Sequence, residues 1–182
     1  MRLIVGFGSK ARQGKDSAAY AIQDYARRFS LPDVRIYKFA TALYQECEEH
    51  HGMIGKDAPL LQKVGLQRRQ QSENYWIDRL KFTMGDFRGI ALITDVRFKN
   101  EAAWIRDNGG FLVNVTRLND DGTPFIATDR PADHLSEVEL DDYNWDAYIK
   151  TKTNQQALAA EIAITQFNYF YELTRAEAAQ WA

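Results

Sequence analysis

The sequence predicts an α/β fold, a parallel sheet with helices on both of its faces. Three observations carry that expectation. Apolar, partly β-branched runs recur along the chain with helix-like patterns between them, the alternation from which parallel sheets are built. One run, Gly89-Ile90-Ala91-Leu92-Ile93-Thr94-Asp95-Val96, is almost continuously apolar, as a strand buried on both faces must be. The first run, Leu3-Ile4-Val5-Gly6-Phe7, leads directly into a glycine-and-lysine loop that opens a helical pattern.

Taken in order, the first strand is Leu3 to Phe7, and the helix after the loop places Ile22, Ala26 and Phe29 on one face. Val34 to Ala40 reads as the second strand. Helices follow from Thr41 to about His50, from Leu60 through Arg68, and around Trp76, Leu80 and Met84, whose four-residue spacing keeps them on one side. The third strand is Gly89 to Val96. The fourth, Phe111 to Thr116, follows the helix-stop signal Asn108-Gly109-Gly110. Trp145 to Lys150 reads as the last strand. A long helix runs from Gln155 to Leu173, apolar at Leu158 and Ile162 and then aromatic at Phe167, Tyr169, Phe170 and Tyr171. Residues 52–88 are helical and basic between the second and third strands, and residues 117–144 are loop-like. Insertions at the carboxyl edge of such a sheet are where substrate sites are built.

The loop itself is Ser9-Lys10-Ala11-Arg12-Gln13-Gly14-Lys15-Asp16-Ser17. Strand, glycine-and-lysine loop and helix together suit a phosphate group: backbone N–H groups line the turn, the helix start adds positive potential, and Lys15 reaches terminal phosphates. Ser9 stands where the usual pattern has its first glycine, and Asp16 where it has a hydroxyl, which comes one residue later at Ser17. Asp16 and Ser17 offer oxygens to a magnesium ion, directly or through water; the alternative is that Asp16 only caps the helix. Asp95, at the end of the buried third strand, is a metal-side or base-like carboxylate. Arg97 just beyond it suits a phosphate gripped in two places. Arg68, Arg69 and Trp76 suit an acceptor nucleotide, phosphate to the guanidinium and base to the ring, or else form a solvated helix end and a core tryptophan. Arg117 and Arg130 have the placement of a mobile lid's arginines. The segment from Asp133 through His134 to Glu137 is either a set of substrate contacts or the cap of a short helix.

Composition limits the alternatives. A chain of 182 residues with 45% hydrophobic and 26% charged residues suits one folded domain. Its net charge of −2 gives no global basic field, which argues against a stable nucleic-acid partner. Cys47 is the single cysteine, so neither an intramolecular disulfide nor a cysteine-rich zinc site can form. The three histidines, His50, His51 and His134, are too scattered for a metal cage, and His50 and His51 are expected to be exposed. No run is long enough for a signal sequence or membrane span, and a cytoplasmic protein is expected.

With the loop, Thr94-Asp95-Val96-Arg97-Phe98-Lys99-Asn100-Glu101 and His134-Leu135-Ser136-Glu137 read together, the chain resembles the bacteriophage deoxynucleoside monophosphate kinases, a branch of the P-loop nucleotide kinases. Leu60-Leu61-Gln62 through Arg68-Arg69, Trp76-Ile77 and Leu140-Asp141-Asp142 extend the likeness over most of the chain. The resemblance implies a single P-loop kinase domain over residues 1–182, with a five-stranded parallel core, residues 52–88 as the acceptor-binding insertion and 117–144 as the lid. It implies ATP as phosphoryl donor, magnesium as cofactor and small nucleotides as partners. Arg12, Gln13, Gly14, Lys15, Asp16 and Ser17 would bind ATP. Lys10, Lys38, Arg68, Arg69, Trp76, Arg97, Arg130, His134 and Glu137 would serve the acceptor side. Lys15, Asp16, Asp95, Arg97 and Arg130 would carry catalysis. The expected reaction gives a nucleoside diphosphate from a deoxynucleoside 5′-monophosphate. Two alternatives stay open, a kinase of a hydroxymethylated base in phage DNA and a nucleotide-binding switch without transfer, as does dimerisation.

Overall fold

The computed structural model describes residues 2–128 and 131–180. Its elements are β1 (Leu3–Gly8), α1 (Lys15–Arg28), β2 (Val34–Tyr37), α2 (Ala40–His51), α3 (Ala58–Gln71), α4 (Tyr75–Met84), β3 (Ile90–Val96), α5 (Lys99–Asp107), β4 (Phe111–Leu118), α6 (Leu135–Val138), β5 (Ala147–Lys152) and α7 (Gln156–Gln180). The strands form one five-stranded sheet in the order β2-β3-β1-β4-β5. β1 runs parallel to β3, with Leu3 opposite Ile90, and to β4, with Val5 opposite Phe111; β4 runs parallel to β5, with Val113 opposite Ala147. This is the α/β architecture expected, a five-stranded parallel sheet flanked by helices.

Alternation along each strand sorts the two faces. Leu3, Val5, Phe7, Ile90, Leu92, Val113 and Val115 pack with Ala18, Ala19, Ile22 and Ala26 of α1 and with Ala163, Phe167, Phe170 and Tyr171 of α7. The aromatic run of α7 thereby becomes core, with Phe170 stacked on Phe111 at 4.3 Å. The other face meets α5. There Gly6 has no room for a side chain, since a Cβ would lie 2.5 Å from Ile105 and 2.9 Å from Leu112. Gly8 is crowded by Trp145, whose ring would stand 2.2 Å from an added Cβ. At these two positions β1 packs too closely against its neighbours for any larger residue without a shift.

Two compact units can be distinguished, residues 1–36 with 88–182, and residues 37–87. The second unit begins earlier than the expected insertion because α2 packs with α3 and α4. Cys47, Met53, Leu61 and Val64 form its small core. Asp57 caps α3 by accepting the Leu60 N–H at 3.0 Å, and Glu46 ties the three helices by accepting from Arg68 Nε at 2.6 Å and Tyr75 Oη at 3.3 Å.

Several local expectations shift. Phe29 does not share the buried face of Ile22 and Ala26; it lies just past the end of α1, mostly exposed, with its ring 4.6 Å from that of Tyr25. β2 stops at Tyr37 because the chain turns into α2. β5 starts at Ala147, after Asp146 has spent its carboxylate on the Leu112 N–H at 2.7 Å. α5 starts behind Phe98, without a hydroxyl or acid at the cap. Instead Glu101 reaches back to the N–H groups of Arg97 at 2.9 Å and Phe98 at 3.2 Å.

Candidate active site

The site grows from the turn between β1 and α1. Ser9, Arg12 and Gly14 all have positive φ, at 115°, 59° and 96°. Ser9 therefore takes, at a cost of about 1–3 kcal/mol, the backbone conformation a glycine would adopt without strain. The departure from the usual pattern leaves the turn itself in place. Gly14 carries no side chain to cap α1, so the first amides of the helix (Lys15, Asp16, Ser17) meet no side-chain acceptor from the cap, an arrangement suited to an anion.

Lys15 is buried, with its ammonium donating to the carbonyls of Ser9 at 3.2 Å and Lys10 at 2.5 Å. Burial lowers its pKa to about 7, and the positive charge of Arg97 adds to that; Glu137, Asp95 and Asp16 act in the opposite direction. Two cations and three carboxylates thus share one electrostatic field at the sheet's carboxyl edge. A polyphosphate placed on Lys15 would favour its charged form. Above pH 7 such binding would take up a proton, and affinity for a polyphosphate is expected to fall as pH rises, by up to about tenfold per unit. Calorimetry at pH 6.5 and 8.5 in buffers of different ionisation enthalpy checks this; equal affinities with no proton uptake would contradict it.

Asp16 lies in the first turn of α1, where its Oδ1 accepts the Thr94 hydroxyl at 2.6 Å. Thr94 is buried, and it fixes the end of β3 to the start of α1. Asp95 follows it, half-buried and close enough to Lys15 to act on its charge. Asp16, Ser17 and Asp95 are all oxygen donors, the type magnesium prefers. Among the described residues no group of three or more His, Cys, Asp or Glu stands together to hold a metal.

Arg97 is held from two sides. Its backbone N–H is bound by Glu101, and its Nη1 donates to Glu137 Oε1 at 2.6 Å and to the Ser136 carbonyl at 3.1 Å. The other oxygen of Glu137 accepts the Ala11 N–H of the phosphate loop at 2.7 Å. Lys10 donates to the Glu137 carbonyl at 3.0 Å and pairs with Asp141 at 2.8 Å. Gln13 is buried and anchors the loop's other side: its Nε2 donates to the Phe125 carbonyl at 2.9 Å and its Oε1 accepts the Arg117 N–H at 2.6 Å. Arg117 lies over the Phe125 ring, 3.5 Å from its centre. A cavity of about 210 Å³ opens among Lys10, Gln13, Arg97, Asn114, Thr116 and Glu137.

The structure thus brings together Lys10, Gln13, Gly14, Lys15, Asp16, Asp95, Arg97 and Glu137, with Arg12 and Ser17 exposed on the same loop and helix. The Gln13 side chain is engaged in holding the loop. His134 caps α6, its Nδ1 accepting the Ser136 N–H at 3.2 Å. Arg130 lies outside the described residues. Lys38, Arg68, Arg69 and Trp76 belong to the unit of residues 37–87. Trp76 is a correction to the base-stacking expectation: it is 2% exposed and its Nε1 donates to the Gly65 carbonyl at 3.2 Å, so the ring is core. Arg68 is drawn to Glu46 and lies over the Tyr75 ring at 5.4 Å, while Arg69 reaches the Gly65 carbonyl. Thr94 and Glu101 escaped the sequence reading as functional positions. A polar residue at the end of an apolar strand, and an acid three residues past a helix cap, are the local signals that mark them.

No protein-family model matches the chain, and no curated protein matches it in sequence. Among solved structures it is similar to the shikimate kinase of Aquifex aeolicus vf5, at 14% identity and a TM-score of 0.42, over 94% of this chain and 96% of that one. The functional reading therefore rests on the geometry of the site.

Proposed function

We propose that this chain is an ATP-dependent phosphotransferase that moves the γ-phosphoryl of ATP to a deoxynucleoside 5′-monophosphate, giving ADP and the diphosphate. The observation that carries the reading is the field around Lys15: a buried lysine in a strand–loop–helix turn, flanked by Arg97 and by the carboxylates Asp16 and Asp95. Phosphoryl transfer needs positioning and charge stabilisation more than covalent chemistry, and these residues supply both. The loop amides and Lys15 hold the donor phosphates. An oxygen of the acceptor phosphate forms the new P–O bond as the bond to the ADP oxygen breaks; already an anion, it needs no base. Arg97 offsets charge on the migrating group. Asp16, Ser17 and Asp95 would hold magnesium, which when bound neutralises phosphate charge. The choice of a deoxynucleotide as acceptor comes from the sequence resemblance, which offers Arg68 or Arg69 for the acceptor side.

A panel of deoxy- and ribonucleoside monophosphates, each with ATP and magnesium, tests the reading. Diphosphate is expected from at least one deoxynucleotide, at a rate well above ATP hydrolysis without acceptor. Turnover that no monophosphate stimulates would remove the acceptor class and leave only a nucleotide-binding protein.

A further inference from the structure

We propose that Glu137 is a positioning residue that joins Arg97 to the phosphate loop as one rigid unit, without touching substrate. The inference rests on the phosphotransferase reading. Its basis is the division of one carboxylate between two partners: Oε1 on Arg97 Nη1 at 2.6 Å, and Oε2 on the Ala11 N–H at 2.7 Å. These partners lie 40 and 126 residues away in sequence, so Glu137 is where two distant parts of the site are tied together. Its burial, at 7% exposure, makes both bonds strong and keeps water from replacing them.

A competing role for the same geometry would make Glu137 a stand-in anion, displaced when a phosphate arrives. The surrounding bonds oppose that. The backbone carbonyl of Glu137 accepts from Lys10, Lys10 is paired with Asp141, and the neighbouring Ser136 carbonyl also receives Arg97. These bonds hold the backbone of Glu137 in place, and moving the carboxylate away would break its bonds to Arg97 Nη1 and the Ala11 N–H together, leaving Arg97 without its buried anionic partner. With Glu101 holding its backbone N–H as well, Arg97 is held at both its backbone and its guanidinium. A group held in this way keeps its orientation as charge migrates, and an arginine displaced by about 1 Å can cost on the order of a hundredfold in rate.

A double-mutant cycle tests the coupling. Glu137→Gln keeps the shape but can accept from only one of Arg97 and Ala11, presenting its amide N–H to the other donor. Turnover is expected to fall about a hundredfold, while KM for each substrate and ATP affinity worsen by only a few-fold. In an Arg97→Ala background the same change should cost little further turnover. Thermal melting separates this from unfolding, and Glu137→Asp, which keeps the charge but shortens the reach, substitutes for a Gln variant that does not fold. Equal losses in both backgrounds would mean that Glu137 acts on substrate directly, and wild-type turnover in E137Q would mean that it positions nothing; either overturns the proposal. Calorimetric ATP affinity is measured for the same four proteins. If the wild-type chain transfers phosphoryl to no acceptor, the phosphotransferase reading fails, and the affinity cycle decides for Glu137 by itself. Non-additive losses there support the coupling, while additive losses or none overturn it.

Discussion

Lys15→Ala is expected to lose phosphoryl transfer by on the order of a thousandfold or more, while the protein stays folded. The side chain places its charge against the carbonyls of the loop, yet it stabilises the fold little. Its ammonium is buried at a desolvation cost large enough to lower its pKa to about 7, and its return is two bonds to the Ser9 and Lys10 carbonyls. The sign of the linkage follows. The folded pKa lies below that of an unfolded lysine, so between pH 7 and about 10 the unfolded chain holds more protons and this residue adds stability as pH rises. Lys15→Met, which keeps the packing volume, should lose transfer equally. Steady-state rates with thermal melts of both variants check this. A folded variant within a few-fold of wild type would show that the loop does not hold the donor.

The second large effect is expected at the two carboxylates. Asp95→Ala and Asp16→Ala should each raise the magnesium concentration for half-maximal activity by on the order of ten- to a hundredfold. ATP binding without metal should change much less. Both acids act on Lys15, and the Thr94 bond holds Asp16 against the end of β3. A magnesium titration of activity distinguishes this from a capping role. Unchanged half-saturation in both variants would leave Asp16 as a first-turn acid of α1 and Asp95 as a strand-end charge.

How much of this could be read in the sequence depended on range along the chain. β1, the loop and the start of α1 were legible because strand, glycine, lysine and helix start lie within a few residues of one another. β3 was legible because burial on both faces leaves an apolar run. α5 was harder: its cap residue is Phe98, and the capping acid, Glu101, lies inside the helix. α7 continues past Leu173 to Gln180 through good helix formers that are mostly exposed and carry no apolar periodicity. Glu137 could be picked out as a candidate but not given its partners. Its bonds to Ala11 and Arg97, like those of Gln13 to Phe125 and Arg117, join residues that only the folded sheet brings together. Trp76 shows the converse limit, since helical spacing alone does not tell a core ring from one that faces a nucleotide.

The most direct test follows a γ-labelled phosphate from ATP in the presence of magnesium and a deoxynucleoside 5′-monophosphate. The label should appear at the β position of the deoxynucleoside diphosphate, in equal amount to the ADP formed, and should fail to move in Lys15→Met. Label recovered only as inorganic phosphate, or retained in ATP at every acceptor concentration, would contradict phosphoryl transfer at this site.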